Sequence, residues 1–155
     1  MEITVLAVGK LRRSYRDAAD EYIRRLRRSV RFKELEVPEA SRAPTIAAAR
    51  LEEEMRLRSK LAPEAMLVTL TRRGQPWSSA DLARRVDRWR LVARPVSILL
   101  GGSHGLANRL IDEAAERWSL GPLTLPHEVA RVVVVEQLYR AYTILRGEPY
   151  HKGAE

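Results

Sequence analysis

Hydrophobic positions along this chain switch between two periods, and each switch marks an element. Residues 3–8 (Ile-Thr-Val-Leu-Ala-Val) form a short, β-branched run closed by Gly9, which predicts a buried strand. Beyond it Ala18, Tyr22 and Leu26 recur every fourth position behind Ser14, a residue suited to N-capping, and predict a helix. Residues 32–37 place Phe32, Leu35 and Val37 among charges, with Pro38 as the stop, and predict a second strand. Residues 45–61 carry Ile46, Ala49, Leu51, Met55 and Leu57 among many Glu and Arg, the pattern of a half-exposed helix. A third strand over 66–70 ends in a loop through Arg73, Gly74 and Trp77, after which Ser78 or Ser79 caps a helix with Leu82, Val86 and Trp89 on one face. A fourth strand over 96–100 runs into Gly101-Gly-Ser-His-Gly105, followed by a helix over 108–117 and a short fifth strand over 118–125.

The last helix is the least ordinary. Pro126 stands where an N1 proline would, Glu128 favours the positive end, and Gly147 with Pro149 stops it. The four valines at 132–135 have strand propensity. However, Ala130, Val133, Val134, Leu138, Ala141 and Leu145 follow i, i+3, i+4, i+8, i+11 and i+15, so helix wins. Val132, Val135, Tyr139, Tyr142 and Ile144 need cover as well, more than one side of a sheet supplies. A partner subunit is the economical explanation. Just past this helix the chain places Tyr150, His151 and Lys152 together, where an idle terminus is usually polar and frayed.

Strands alternating with helices predict an α/β fold, a mostly parallel sheet flanked by helices, in a single domain over residues 1–155. Such sheets bind ligands beyond the carboxyl ends of their strands. With 155 residues, 45% hydrophobic and 31% charged, the chain is long enough for a proper core. It has no cysteine, which excludes disulfides, thiolate zinc sites and a cysteine nucleophile. His104, His127 and His151 are isolated from one another, so no metal is expected. There is no basic leader with a long apolar core and no apolar run of membrane-spanning length, so the expectation is a soluble, cytoplasmic protein.

The net charge of +8 points to a polyanionic partner. Between Lys10 and Lys33 lie ten Lys or Arg against three acids, an excess suited to phosphates and equally suited to a solvated helix face. Gly101-Gly-Ser-His-Gly105 matches neither GxGxxG nor the P-loop; it is either a tight strand-to-helix turn or a place where a cofactor approaches the backbone. Leu120-Gly-Pro-Leu-Thr-Leu125 is open in the same way, as a strand-edge turn or as a loop reading the edge of a heterocycle.

Taken together, Leu100-Gly-Gly-Ser-His-Gly-Leu106, Ser119-Leu-Gly-Pro-Leu-Thr-Leu-Pro-His127, Arg131-Val-Val-Val-Val-Glu-Gln-Leu-Tyr-Arg-Ala141 and Arg146-Gly-Glu-Pro-Tyr-His-Lys152 resemble the ribosomal RNA large subunit methyltransferase H family, within the SPOUT superfamily of knotted methyltransferases. Leu6-Ala-Val-Gly-Lys10 fits too, and the closing Pro-Tyr-His is the most specific part. The resemblance implies an enzyme that uses S-adenosyl-L-methionine to methylate N3 of a pseudouridine in a 23S rRNA stem-loop of the assembled ribosome, as a homodimer with a C-terminal trefoil knot. Carried onto this sequence, its cofactor contacts fall on Leu70, Gly101, Gly102, Leu120, Gly121, Pro122, Leu123, Thr124 and Leu125.

Methyl transfer from a sulfonium asks the protein mainly for alignment and for help in removing the N3 proton. Arg140, Tyr150 and His151 are expected around the target base: His151 or Tyr150 to orient it, Arg140 to favour the deprotonated ring or hold a phosphate, Tyr150 alternatively to stack on it. Each has a plainer role, Arg140 pairing with Glu136 one turn earlier, Tyr150 packing, and His151 as a solvated tail residue. Two rival functions stand beside this one, a non-catalytic RNA-binding or ribosome-associated factor and a SPOUT methyltransferase acting on tRNA.

Overall fold

The computed structural model describes residues 1–152. Its core is a five-stranded, wholly parallel sheet in the order β2-β1-β4-β3-β5. The strands are β1 (Glu2–Val8), β2 (Arg31–Val37), β3 (Met66–Pro76), β4 (Val96–Leu100) and β5 (Glu116–Ser119). The helices are α1 (Arg13–Leu26), α2 (Ile46–Arg58), α3 (Ser79–Val92), α4 (Asn108–Glu113) and α5 (His127–Leu145). Alternation within the strands builds two cores. Ile3, Val5, Val96 and Ile98 join Ile23, Leu26, Val86, Trp89, Val134 and Leu138 on the face covered by α1, α3 and α5. Leu6, Val8 and Leu99 join Leu57, Leu110 and Ile111 on the face covered by α2 and α4. Every residue of the central strand β4 is buried, as a strand covered on both sides requires.

The two serine-type caps work as their chemistry suggests: Thr45 Oγ1 accepts from Ala48 N, and Ser78 forms a reciprocal capping box with Asp81. Other boundaries move, each for a local reason. Helix α1 starts at Arg13 with Arg12, not Ser14, as its cap, because Glu128 pins the Arg12 main-chain N–H at 2.7 Å. Its buried residues are Ala19, Ile23 and Leu26, a stripe turned slightly from Ala18 and Tyr22. On α2, Ile46, Leu51 and Met55 face outward, while the carboxylate-bearing Glu53 and Glu54 are buried. Strand β5 stops at Ser119 because Gly121 turns the chain at φ +108° and Pro122 follows. Strand β3 runs past Leu70 to Pro76: Leu70 and Gln75 both register with Trp118, so residues 71–74 bulge out of the ladder.

Candidate active site

The bulge of β3 and the carboxyl end of β4 open onto a cleft of about 950 Å³. Its walls are Leu70 and Thr71 from β3, the turn 100–106 after β4, and the loop 120–126 that leads into α5. Of the nine residues the resemblance picked out for the cofactor, Leu70, Gly101, Gly102, Leu120, Gly121, Leu123, Thr124 and Leu125 line this cleft, and Pro122 does not. The glycines have a steric reason to be there. A Cβ on Gly101 would lie 2.4 Å from the main-chain carbon of Gly105, inside any tolerable contact. Residues 102–105 fold back as a tight turn, with Gly105 N donating to Gly102 O at 3.1 Å and Gly105 at φ +73°. Across the cleft, residues 122–125 make no main-chain to main-chain hydrogen bond among the described residues, so their polar groups are free to bond solvent or a ligand.

Arg140, Tyr150 and His151 gather elsewhere. Arg140 Nε and Nη2 both donate to Oε1 of Glu136, at 3.0 and 2.6 Å, so the plain pairing one helical turn apart exists. The Tyr150 hydroxyl donates to the same oxygen at 3.0 Å, Arg140 lies 4.7 Å over the Tyr150 ring, and its Nη1 stands 3.1 Å from Nδ1 of His151. Tyr139 meets the Tyr150 ring edge-on at 4.8 Å. Burial, then the hydrogen bond to Glu136, pushes the Tyr150 hydroxyl well above the ordinary tyrosine range. Burial works against the charge of Arg140, and the Glu136 carboxylate more than offsets it, so the guanidinium is held above its ordinary value.

None of these three side chains lines the cleft. Ala130 is the last residue of α5 that does, and Arg140 lies ten positions further along, about 15 Å at 1.5 Å per residue. Along α5, Val129, Val132, Val133, Glu136 and Arg140 follow i, i+3, i+4, i+7 and i+11 and stay half-exposed after α1, α3 and the sheet have covered the rest of the helix, with Val132 also touching the main core.

Sequence reasoning missed two groups. Arg131 is 1% exposed, and its Nη2 donates to Gly9 O at 2.8 Å while Nη1 pairs with Glu34 and Glu36, which ties α5 to the ends of β1 and β2. Arg50, Arg72 and Arg73 line the mouth of the cleft. The signal for the last two was available, a pair of arginines at the carboxyl end of a strand. The Lys10–Lys33 run is partly neutralised: Arg12, Arg16, Arg24, Arg25 and Lys33 each pair with a carboxylate. No helix among the described residues is long and apolar enough to cross a membrane.

Comparison with known proteins places this architecture. A family model described as "Predicted SPOUT methyltransferase" matches residues 1–151. The chain is 48% identical over 153 residues to the ribosomal RNA large subunit methyltransferase H of Anaeromyxobacter sp. (strain Fw109-5), covering 98% of this chain and all of the relative. Among solved structures, a methylase family protein from Haemophilus influenzae superposes with a TM-score of 0.56 at 13% identity, covering 97% of this chain and 70% of its own. A methyltransferase from Legionella pneumophila, solved with its SAM cofactor bound, superposes at 0.50 and 12% identity, covering 91% of this chain and 66% of its own. These two show the shared fold. The full-length match and the near-half identity show the family: the chain is a SPOUT methyltransferase and belongs to the ribosomal RNA large subunit methyltransferase H family.

Proposed function

We propose that this chain transfers a methyl group from S-adenosyl-L-methionine to N3 of a pseudouridine in a 23S rRNA stem-loop of the assembled ribosome, in the cytoplasm and as a homodimer. The family relatives' name supports the rRNA substrate, and the SAM-bound Legionella neighbour supports the cofactor. The cleft fits that cofactor: apolar Leu70, Leu100 and Leu106 wall it, Gly101 lets a ligand reach main chain, and Leu123, Thr124 and Leu125 carry backbone groups with no main-chain partner for an adenine edge. The trefoil knot belongs to the same reading, with the segment after β4 and the 120–126 loop meeting in one cleft.

The observation that carries the reading is the distance along α5 between cleft and tail. One copy keeps the two about 15 Å apart along the helix. A second copy laid against the half-exposed valine stripe would bring its tail to the first copy's cleft. Bound cofactor supplies an electrophilic methyl carbon. The protein's share is to hold the base and take its proton. Arg140, kept cationic by Glu136, stabilises negative charge on the ring. Tyr150 stays protonated at neutral pH and orients or stacks on the base. His151, whose Nδ1 stands 3.1 Å from the Arg140 guanidinium, orients the base beside it.

The decisive experiment mixes two inactive variants, Gly101→Ala in the cleft and Arg140→Gln with His151→Ala in the tail, and assays labelled methyl transfer to ribosomes, large subunits and bulk tRNA. Activity should return on mixing, with ribosomal RNA as the acceptor. No recovery sinks the shared site. Strong transfer to tRNA alone sinks the substrate, and absence of any heat with S-adenosylmethionine in calorimetry favours a non-catalytic RNA-binding factor.

A further inference from the structure

The cleft has a charge balance unlike the rest of the chain. No aspartate or glutamate lines it among the described residues, whereas Arg50, Arg72, Arg73, His104 and His127 do. Many arginines elsewhere sit on carboxylates, Arg12 on Glu128, Arg16 on Glu34, Arg58 and Arg109 on Glu54 and Arg131 on Glu36, although Arg27, Arg94 and Arg117 rest on main-chain carbonyls. The three at the cleft rest on neutral acceptors. Arg50 Nε donates to His104 O at 2.7 Å, Arg73 Nη2 to Asn108 Oδ1 at 2.9 Å, and Arg72 Nη1 to the Thr124 hydroxyl. A neutral acceptor fixes the direction of a guanidinium without discharging it, and most of its five N–H donors stay available.

The backbone is shaped to put them there. Arg72 and Arg73 sit on the bulge of β3, where Leu70 and Gln75 share Trp118 as partner and the residues between are pushed out toward the cleft. Gly74 lets the bulge close, since a Cβ there would lie 2.7 Å from the main chain of Arg117. Arg50 approaches from α2, where its bond to the 102–105 turn holds it at the opposite wall. Three undischarged cations therefore straddle one opening.

We propose that Arg50, Arg72 and Arg73 form an oxyanion clamp across the mouth of the cleft, which grips backbone phosphates on either side of the nucleotide being methylated. The proposal rests on the RNA-methyltransferase reading above and adds where the RNA is held. The carboxylate of the cofactor shares this oxyanion chemistry. One carboxylate occupies one guanidinium fork, however, which leaves the other two for phosphates of the RNA. The densest basic run of the sequence is a weaker footprint, because half of its cations are already paired.

The test uses the full chain with Arg50→Gln, Arg72→Gln and Arg73→Gln, singly and combined, and with the three Arg→Lys changes as charge-preserving controls. Binding to large ribosomal subunits and to deproteinised large-subunit RNA is followed between about 50 and 200 mM salt, with S-adenosylmethionine titrated in parallel by calorimetry. The triple Gln variant should flatten the slope of log affinity against log salt by about two to three and weaken RNA binding tenfold or more, while the Lys variants keep the slope. Cofactor affinity should stay within about twofold of the parent, and melting temperatures should hold because the side chains are on the rim. An unchanged salt slope overturns the clamp; so does lost cofactor affinity with RNA binding intact, which assigns the arginines to the cofactor's carboxylate. Parent protein that binds RNA with the steep slope yet transfers no methyl group sinks the enzyme reading and leaves the clamp standing.

Discussion

Nη1 of Arg140 faces Nδ1 of His151 across 3.1 Å. A guanidinium has only donors, so in this contact Nδ1 is the acceptor. Glu136 holds the same arginine from the other side and takes the Tyr150 hydroxyl on the same oxygen. The geometry of the tail thus radiates from one carboxylate that itself makes no claim on the substrate.

Glu136→Gln should therefore loosen all three groups at once. With one acceptor weakened, the Tyr150 hydroxyl should titrate closer to its ordinary 10.0, part of the elevation persisting because burial is its larger cause. Methyl transfer should fall about tenfold, the worth of one charge-assisted hydrogen bond, with S-adenosylmethionine affinity unchanged because the cleft is not touched. Ultraviolet titration of the tyrosines and single-turnover transfer check the two halves. An unmoved Tyr150 titration would remove Glu136 from this positioning role.

Arg131 is the strongest test of stability. It is buried, and it is held by Glu34, Glu36 and the Gly9 carbonyl. Arg131→Met leaves two carboxylates and a carbonyl facing an apolar side chain, and breaking such a pair costs about 3–5 kcal/mol. Urea unfolding should show that loss. Adding Glu34→Gln and Glu36→Gln should recover part of it, since the penalty lies in the stranded charges.

Much of this molecule was legible beforehand, and what was not has a physical cause. Apolar runs and four-residue spacings found all ten elements of the described residues, because burial on a sheet or a helix face imposes those periods, but the helix expected over 108–117 ends at Glu113, and Glu116 and Arg117 belong to β5. The bulge in β3 and the early stop of β5 depend on pairing between the two strands, where Trp118 serves both Leu70 and Gln75, and no single-strand pattern carries that. On α2 the apolar positions 46, 51 and 55 ended outside while Glu53 took the Ala40 main-chain N–H at 2.9 Å, a tertiary bond that periodicity cannot foresee. Eight of the nine residues that the resemblance implied for the cofactor meet in one cleft, whereas the glycine patterns alone left both segments open between a tight turn and a binding loop. The separation of that cleft from Arg140, Tyr150 and His151 follows from the length of α5 and its packing between α1 and α3. Arg131 was read only as one letter of a motif, because its partners lie more than ninety residues away.

Gly101→Ala separates a structural glycine from a permissive one. Its new methyl would sit 2.4 Å from the Gly105 main chain, so the 101–105 turn must open. Such overpacking costs about 1–3 kcal/mol and should lower cofactor affinity by more than tenfold as the wall of the cleft moves. Gly102→Ala meets Val8 Cγ1 at 3.1 Å and Glu39 Oε1 at 3.2 Å, side chains that can give way. It should be the milder change in both thermal melting and calorimetry. Equal effects from the two would contradict a wall set by the Gly101–Gly105 approach.

Glu128 makes the start of α5 sensitive to acid. The Arg12 main-chain N–H, then its guanidinium, hold the Glu128 carboxyl below its ordinary 4.5, against an opposing contribution from burial. A depressed carboxyl contributes stability that is fully present above the unfolded value and is lost as pH falls through the folded one. Wild type should accordingly exceed Glu128→Gln in stability at neutral pH, and the difference should shrink as pH falls below 4.5 and through the lowered folded value. Because Glu128 also anchors Arg12 ahead of α1, the variant should shift the start of that helix toward Ser14, the cap its sequence prefers. Urea unfolding across a pH series and amide exchange at residues 13–16 test both outcomes. Parallel stability curves for the two proteins down to acid pH would mean that the contact with Arg12 contributes nothing to the fold.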